Sequence, residues 1–152
     1  MSADAIEAVA KFLRVWRVSE PVRNETYDVL VLAPRACMRQ LRRRIERGVT
    51  RIPGVTDGIT RCDREHLTFN VPSHGCVATC GVSFLPSDVE LDSLRGVGGN
   101  YVLVYRIGQA SDWLLRHLVP LLTCRYVTLV YTGTATQEQR ALLAREVYAP
   151  PV

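Results

Sequence analysis

The chain has 152 residues, 47% of them apolar and 22% charged, with a formal net charge of +4. One domain of that length buries about 68–70% of its unfolded surface, and the composition excludes a disordered or fibrous chain. No apolar run approaches the roughly 20 residues of a membrane span. Met1-Ser2-Ala3-Asp4 has no basic start or apolar core of a secretory signal, so a soluble, intracellular protein without membrane contact is expected.

Ala5, Ile6, Val9, Phe12, Leu13 and Trp16 recur at helical spacing and predict a helix over 4–17, stopped by Glu20-Pro21. Tyr27 to Ala33 is an apolar run that predicts a buried, parallel-type strand closed by Pro34. A helix over 35–47 follows, then a loop from Gly48 to Gly58 with Pro53-Gly54 and Asp57-Gly58 turns. Strands at 59–62 or 66–71 and at 76–84, joined through Pro72 to Gly75, predict a hairpin before a polar loop from Leu85 to Ser93.

A Gly-rich approach, Gly96-Val97-Gly98-Gly99, leads into the apolar strand 100–106. A helix over 111–122 then starts at Ser111-Asp112, with Trp113, Leu114, Leu118 and Leu121 as an apolar stripe expected in the core. A third buried-type strand, 126–131, ends in Thr132-Gly133-Thr134. Thr136 and Gln139 have the spacing of a capping box for a last helix reaching Tyr148. Alternating buried strands and helices predict a three-layer α/β domain around a mainly parallel sheet, with the hairpin as an insertion or an antiparallel edge.

Of the 19 basic residues, 18 are Arg, and seven of those lie between positions 35 and 51. Met38, Leu41 and Ile45 form the apolar stripe of that helix, and Arg35, Arg39, Arg42 and Arg43 fall in an arc of roughly 100° beside it. With Arg44 and Arg47 they are the candidate surface for nucleic acid or an acidic partner. A solvated face is the other reading of this arc, and a GC-rich genome favouring Arg codons is the other reading of the Arg excess as a whole. Five Cys without a secretory signal predict reduced thiols.

Cys62, His66, His74, Cys76 and Cys80 cluster within a short stretch, but their spacing matches no dependable zinc knuckle, and packing is the simpler reading. Cys76 with His74 or His117 would make a thiol–imidazole pair only if the fold brought them together. Arg95 and Gly96 are a candidate anion contact, although the glycines precede a strand instead of linking a strand to a helix. No metal and no cofactor is expected.

The order of these elements resembles the ATPase domain of the large terminase subunit, the DNA-packaging motor of tailed phages and herpesviruses. Val29 to Arg47 is similar to the strand and Arg-rich helix that follow the nucleotide-binding loop there. Ile59 to Phe84 is similar to its hairpin, and Ser93-Leu94-Arg95-Gly96 to the Arg-Gly element ahead of the Walker B strand. The last helix-and-strand pair, 111–122 and Val127 to Thr134, resembles its Ser/Thr-rich coupling strand and the helix before it. Helicases share this core, so a decayed helicase domain stands beside it. The resemblance implies a RecA-like (P-loop NTPase-type) fold, with terminase, portal or capsid subunits and DNA as partners. It also implies a location in the virion or the host nucleus.

The departures from that pattern bear on activity. A phosphate loop needs glycines and a Lys, whereas the first Gly is Gly48 and the only Lys is Lys11. The chain is expected to begin just beyond where such a loop would stand. The Walker B acids align with Arg106 and Ile107, neither of which can hold Mg²⁺. The expectation is a pseudo-ATPase, non-catalytic, acting as a scaffold or interaction subunit, with nucleic-acid binding by the Arg helix as the alternative.

Overall fold

Between Val29 and Ala33 every residue is apolar and buried. A strand apolar on both faces needs cover on both, and this one lies inside a six-stranded sheet. A computed structural model of the protein describes residues 3–18, 26–51, 59–62, 66–73, 76–88, 101–116 and 128–146. Its strands are β1 (Thr26–Ala33), β2 (Ile59–Cys62), β3 (His66–Ser73), β4 (Cys76–Pro86), β5 (Tyr101–Val104) and β6 (Thr128–Tyr131), in the order β2-β3-β4-β1-β5-β6.

Strand β1 pairs in parallel with β4 on one side and β5 on the other, and β5 pairs in parallel with β6. Val31 sits between Phe84 and Leu103 in this register. Strands β2, β3 and β4 form an antiparallel meander. The sheet is therefore mixed, with its parallel part in the centre and at the β6 edge.

Helices lie on both faces. On one, α1 (Ala3–Val18) and α2 (Arg35–Thr50) bring Phe12, Leu41, Ile45 and Val49 against Val29, Val31, Phe69, Val82, Phe84 and Leu103. On the other, Leu30, Leu32, Val102 and Val104 meet Ile107, Leu114, Leu115 and Leu143. Those partners come from the 3-10 turn Ile107–Gln109, the helical segment 112–116 and α3 (Gln137–Glu146). The alternating α/β reading thus holds, as an α/β fold with a mixed, mostly parallel sheet.

Several boundaries differ from expectation, each for a local reason. Helix α2 runs through Gly48 to Thr50 instead of ending before the glycine. A Cβ at Gly48 would stand 2.9 Å from Val9 Cγ1, so the glycine is where α1 and α2 cross closely. The expected hairpin is a three-stranded meander, since both 59–62 and 66–73 are strands, and it continues the sheet instead of being inserted in it. Strand β5 stops at Val104, because Tyr105 and Arg106 turn the chain away.

Ser111 Oγ accepts the Leu114 N–H at 3.1 Å, as its place at the start of a helix predicts. Of the expected stripe, Leu114 is buried but Trp113 is 40% exposed, with Leu115 turned inward beside Leu114; Leu118 and Leu121 lie outside the described residues. The capping box forms as the spacing predicts. Thr136 N–H donates to Gln139 Oε1 at 2.9 Å and Gln139 N–H to Thr136 Oγ1 at 3.1 Å. Among the described residues no helix is long and apolar enough to cross a membrane.

Candidate functional site

After β1 the chain leaves through α2 for the β2 edge, while after β5 it passes to β6 on the opposite side. Two adjacent parallel strands whose connections part in this way leave a crevice beyond their carboxyl ends, the usual ligand position of an open α/β sheet. The backbone prolongs the ladder there, with Tyr105 N–H donating to Leu32 O at 2.8 Å and Thr132 N–H to Val104 O at 3.0 Å.

Arg106 stands just beyond the carboxyl end of β5 in the left-handed conformation, at φ 55° and ψ 65°. Its N–H donates to Thr132 Oγ1 at 2.9 Å, and the next N–H, of Ile107, donates to Thr132 O at 3.0 Å. Gly133, at φ 82°, makes the complementary turn beside it. Non-glycine residues rarely hold such a conformation unless their surroundings impose it.

The Arg106 guanidinium is also tied down. Its Nε lies 3.3 Å from Asp4 Oδ2, its Nη1 donates to Cys37 Sγ at 3.0 Å, and it stacks over the Tyr105 ring at 5.2 Å. Burial pulls its proton affinity down, but Tyr105, Cys37 and Asp4 outweigh that and raise it. Ile107 is fully buried in the core of the opposite face. Positions 106 and 107 thus hold a half-exposed cation in contact with residues of α1 and α2, followed by an apolar core residue.

Lys11 is committed as well. It lies 3.3 Å from Glu7, donates to Tyr131 O and stands 5.3 Å over the Tyr131 ring. Asp4, Cys37 and Thr132 escaped the sequence reading as partners of Arg106, since nothing in their spacing marks them. Gln139 was legible as a cap, yet its Nε2 also donates to Ile107 O at 2.7 Å, tying α3 to the turn after β5.

The arginines of α2 divide into three sets. Arg39, Arg43 and Arg47 are exposed and four residues apart, and exposed Arg51 follows at the helix end. At 1.5 Å rise per residue they form a row with steps of about 6 Å. Arg35 is exposed but spans both Oδ atoms of Asp88 at 3.0 Å. Arg42 and Arg44 are half-buried, so the expected arc of Arg35, Arg39, Arg42 and Arg43 is broken. The Arg42 guanidinium sits 6.0 Å over the Phe84 ring, with Nε 3.3 Å from Glu46.

Cys80 and His66 are on opposite faces of the meander, so these two share no site. Burial, and after it the charge of Asp28, pushes the Cys80 thiol up, which keeps it protonated and inert. Among the described residues no group of three or more His, Cys, Asp or Glu could hold a metal. His74, His117 and the side chains of Cys62 and Cys76 lie outside the described residues, as do Arg95 and the stretch Gly96 to Gly99.

The chain matches no protein-family model and no curated protein.

Proposed function

We propose that this chain is a terminase-like pseudo-ATPase, a RecA-like domain that serves as a non-catalytic binding subunit in viral DNA packaging or virion assembly. The mostly parallel sheet with helices on both faces is compatible with such a domain. The observation that carries the reading is Arg106. Where a nucleotide-hydrolysing domain sets carboxylates to hold Mg²⁺, this chain sets a guanidinium, and it uses Asp4 to hold that guanidinium in place.

The test is affinity capture of the tagged protein from its native cells, with nuclease treatment, followed by mass spectrometry. Terminase, portal or capsid subunits retained after nuclease are the expected result, together with no melting shift in MgATP. Magnesium-dependent ATP turnover by the purified chain would sink the pseudoenzyme reading.

A second reading is favoured by the exposed row Arg39, Arg43, Arg47 and Arg51. Its steps of about 6 Å suit contacts to successive phosphates of a nucleic-acid backbone. In that case every captured partner would disappear on nuclease treatment.

A further inference from the structure

Helix α1 has more apolar surface than the sheet covers. Ala5, Ala8 and Phe12 are buried against the sheet. A neighbouring stripe, Ile6, Val9, Ala10 and Leu13, follows the i, i+3, i+4, i+7 pattern of a helix-facing surface. It forms the floor of a groove of about 300 Å³ between α1 and α2. Ile6 is 51% exposed there. The opposite wall is the last two turns of α2, with Gly48 at the close crossing and Arg44, Arg47 and Arg51 around it.

Among the described residues, none that lines this groove is acidic. Of the described carboxylates on these two helices, Glu7 pairs with Lys11 and Glu46 with Arg42. Arg44 Nε is buried with no hydrogen-bond partner among the described residues, while the half-buried side chain borders the groove. Three cations, one of them with an unpartnered Nε, therefore border an aliphatic floor.

We infer that the groove between α1 and α2 takes an acidic, amphipathic helix of a partner protein, its apolar ridge on Ile6, Val9 and Leu13 and its carboxylates on Arg44, Arg47 and Arg51. Both kinds of contact are needed. A nucleic acid satisfies the arginines but leaves the aliphatic floor without a partner, since the floor offers bases no aromatic ring to stack on. A groove open along two helices suits the helix-in-groove mode, read as apolar anchors at i, i+3, i+4 and i+7. This inference rests on the binding-subunit reading and assigns it a surface.

The experiment uses the full chain, methyl and amide NMR, and a synthetic helical peptide with Leu at i, i+3, i+4 and i+7 and Glu beside them. A copy with Lys for each Glu and a 12-base-pair DNA duplex are the controls. The Leu/Glu peptide is expected to shift the Ile6, Val9, Leu13 and Gly48 resonances. Its affinity should fall at least tenfold in Ile6→Glu and in the double variant Arg47→Glu, Arg51→Glu. Arg39→Gln with Arg43→Gln, outside the groove, should leave it unchanged. Ile6, Arg47 and Arg51 are exposed, and circular dichroism checks that these variants remain folded.

Equal binding of the Lys peptide, shifts confined to other surfaces, or DNA alone moving the groove resonances would each overturn the inference. Packaging subunits captured from cells without peptide binding would remove the groove and leave the binding-subunit reading. Peptide binding at the groove with no packaging subunit captured would do the reverse to the viral assignment.

Discussion

Arg106 is the residue on which the candidate crevice turns, and its backbone and side chain can be separated by substitution. The left-handed conformation costs an L-residue about 1 kcal/mol, a cost glycine does not bear. Arg106→Ala keeps that strain and loses the contacts to Asp4, Cys37 and Tyr105, whereas Arg106→Gly loses the contacts and the strain together. The glycine variant is expected to be more stable than the alanine variant by about 1 kcal/mol in urea unfolding. An equal loss in both would mean that the turn relaxes when the side chain is gone. Asp28 supplies a second test at this scale. Burial raises its carboxyl above the ordinary value, so the folded state binds that proton more tightly than the unfolded chain. The stabilisation is present below the unfolded value of about 3.9 and is lost as pH rises through the higher folded value. At pH 7 the charged carboxylate is a burden, and Asp28→Asn should melt above the wild type there by calorimetry. The gap should close towards pH 3, and a gap independent of pH would refute the assignment to burial.

At the scale of elements, the crossing of α1 and α2 depends on the absence of one methyl group. Alanine at Gly48 would add about 1 kcal/mol of helix propensity, but its Cβ would stand 2.9 Å from Val9 Cγ1. Val is stiff at χ1 in a helix, so the clash is met by overpacking, typically about 1–3 kcal/mol. Gly48→Ala is expected to destabilise the wild type by about 1 kcal/mol, and to stabilise the Val9→Ala background, where only the propensity gain remains. A double-mutant cycle by chemical denaturation reads that change of sign. Helix α3 shows the opposite relation between local and tertiary signals. Its Thr136–Gln139 box was readable from spacing because both partners lie within one turn. The second bond of Gln139, to Ile107 O, spans 32 positions and was not.

For the whole molecule, the +4 net charge is distributed unevenly, and α2 carries the row that bears on polyanion binding. Each phosphate neutralised contributes about −0.9 to the slope of log K against log salt on duplex DNA. If DNA is the ligand, replacing Arg39, Arg43 and Arg47 by Gln should make the slope shallower by about 2.7 and weaken binding alike for all sequences. Fluorescence anisotropy over a salt series measures this, and an unchanged slope would exclude the row as the DNA contact. The Arg35–Asp88 pair is exposed on both sides, so its loss should change stability by less than about 1 kcal/mol.

The alternation of buried strands and helices was legible because a strand apolar on both faces and a helix apolar on one carry their burial in their own periodicity. Val29 to Ala33, the helix opening at Arg35 and the Thr136 box all belong to this local class. What only the tertiary structure decided are the relations between distant segments. The sheet order that brings β1 beside β5 is one, and the enclosure of Arg106 by Asp4, Cys37 and Thr132 is another. The sorting of the arginines is a third. All of them lie on one helix with similar local sequence, yet Phe84 draws Arg42 inward, the α1 groove takes Arg44, and Arg39 and Arg43 stay in solvent. A periodicity records which side of an element is buried, but the partner that buries it comes from elsewhere in the chain.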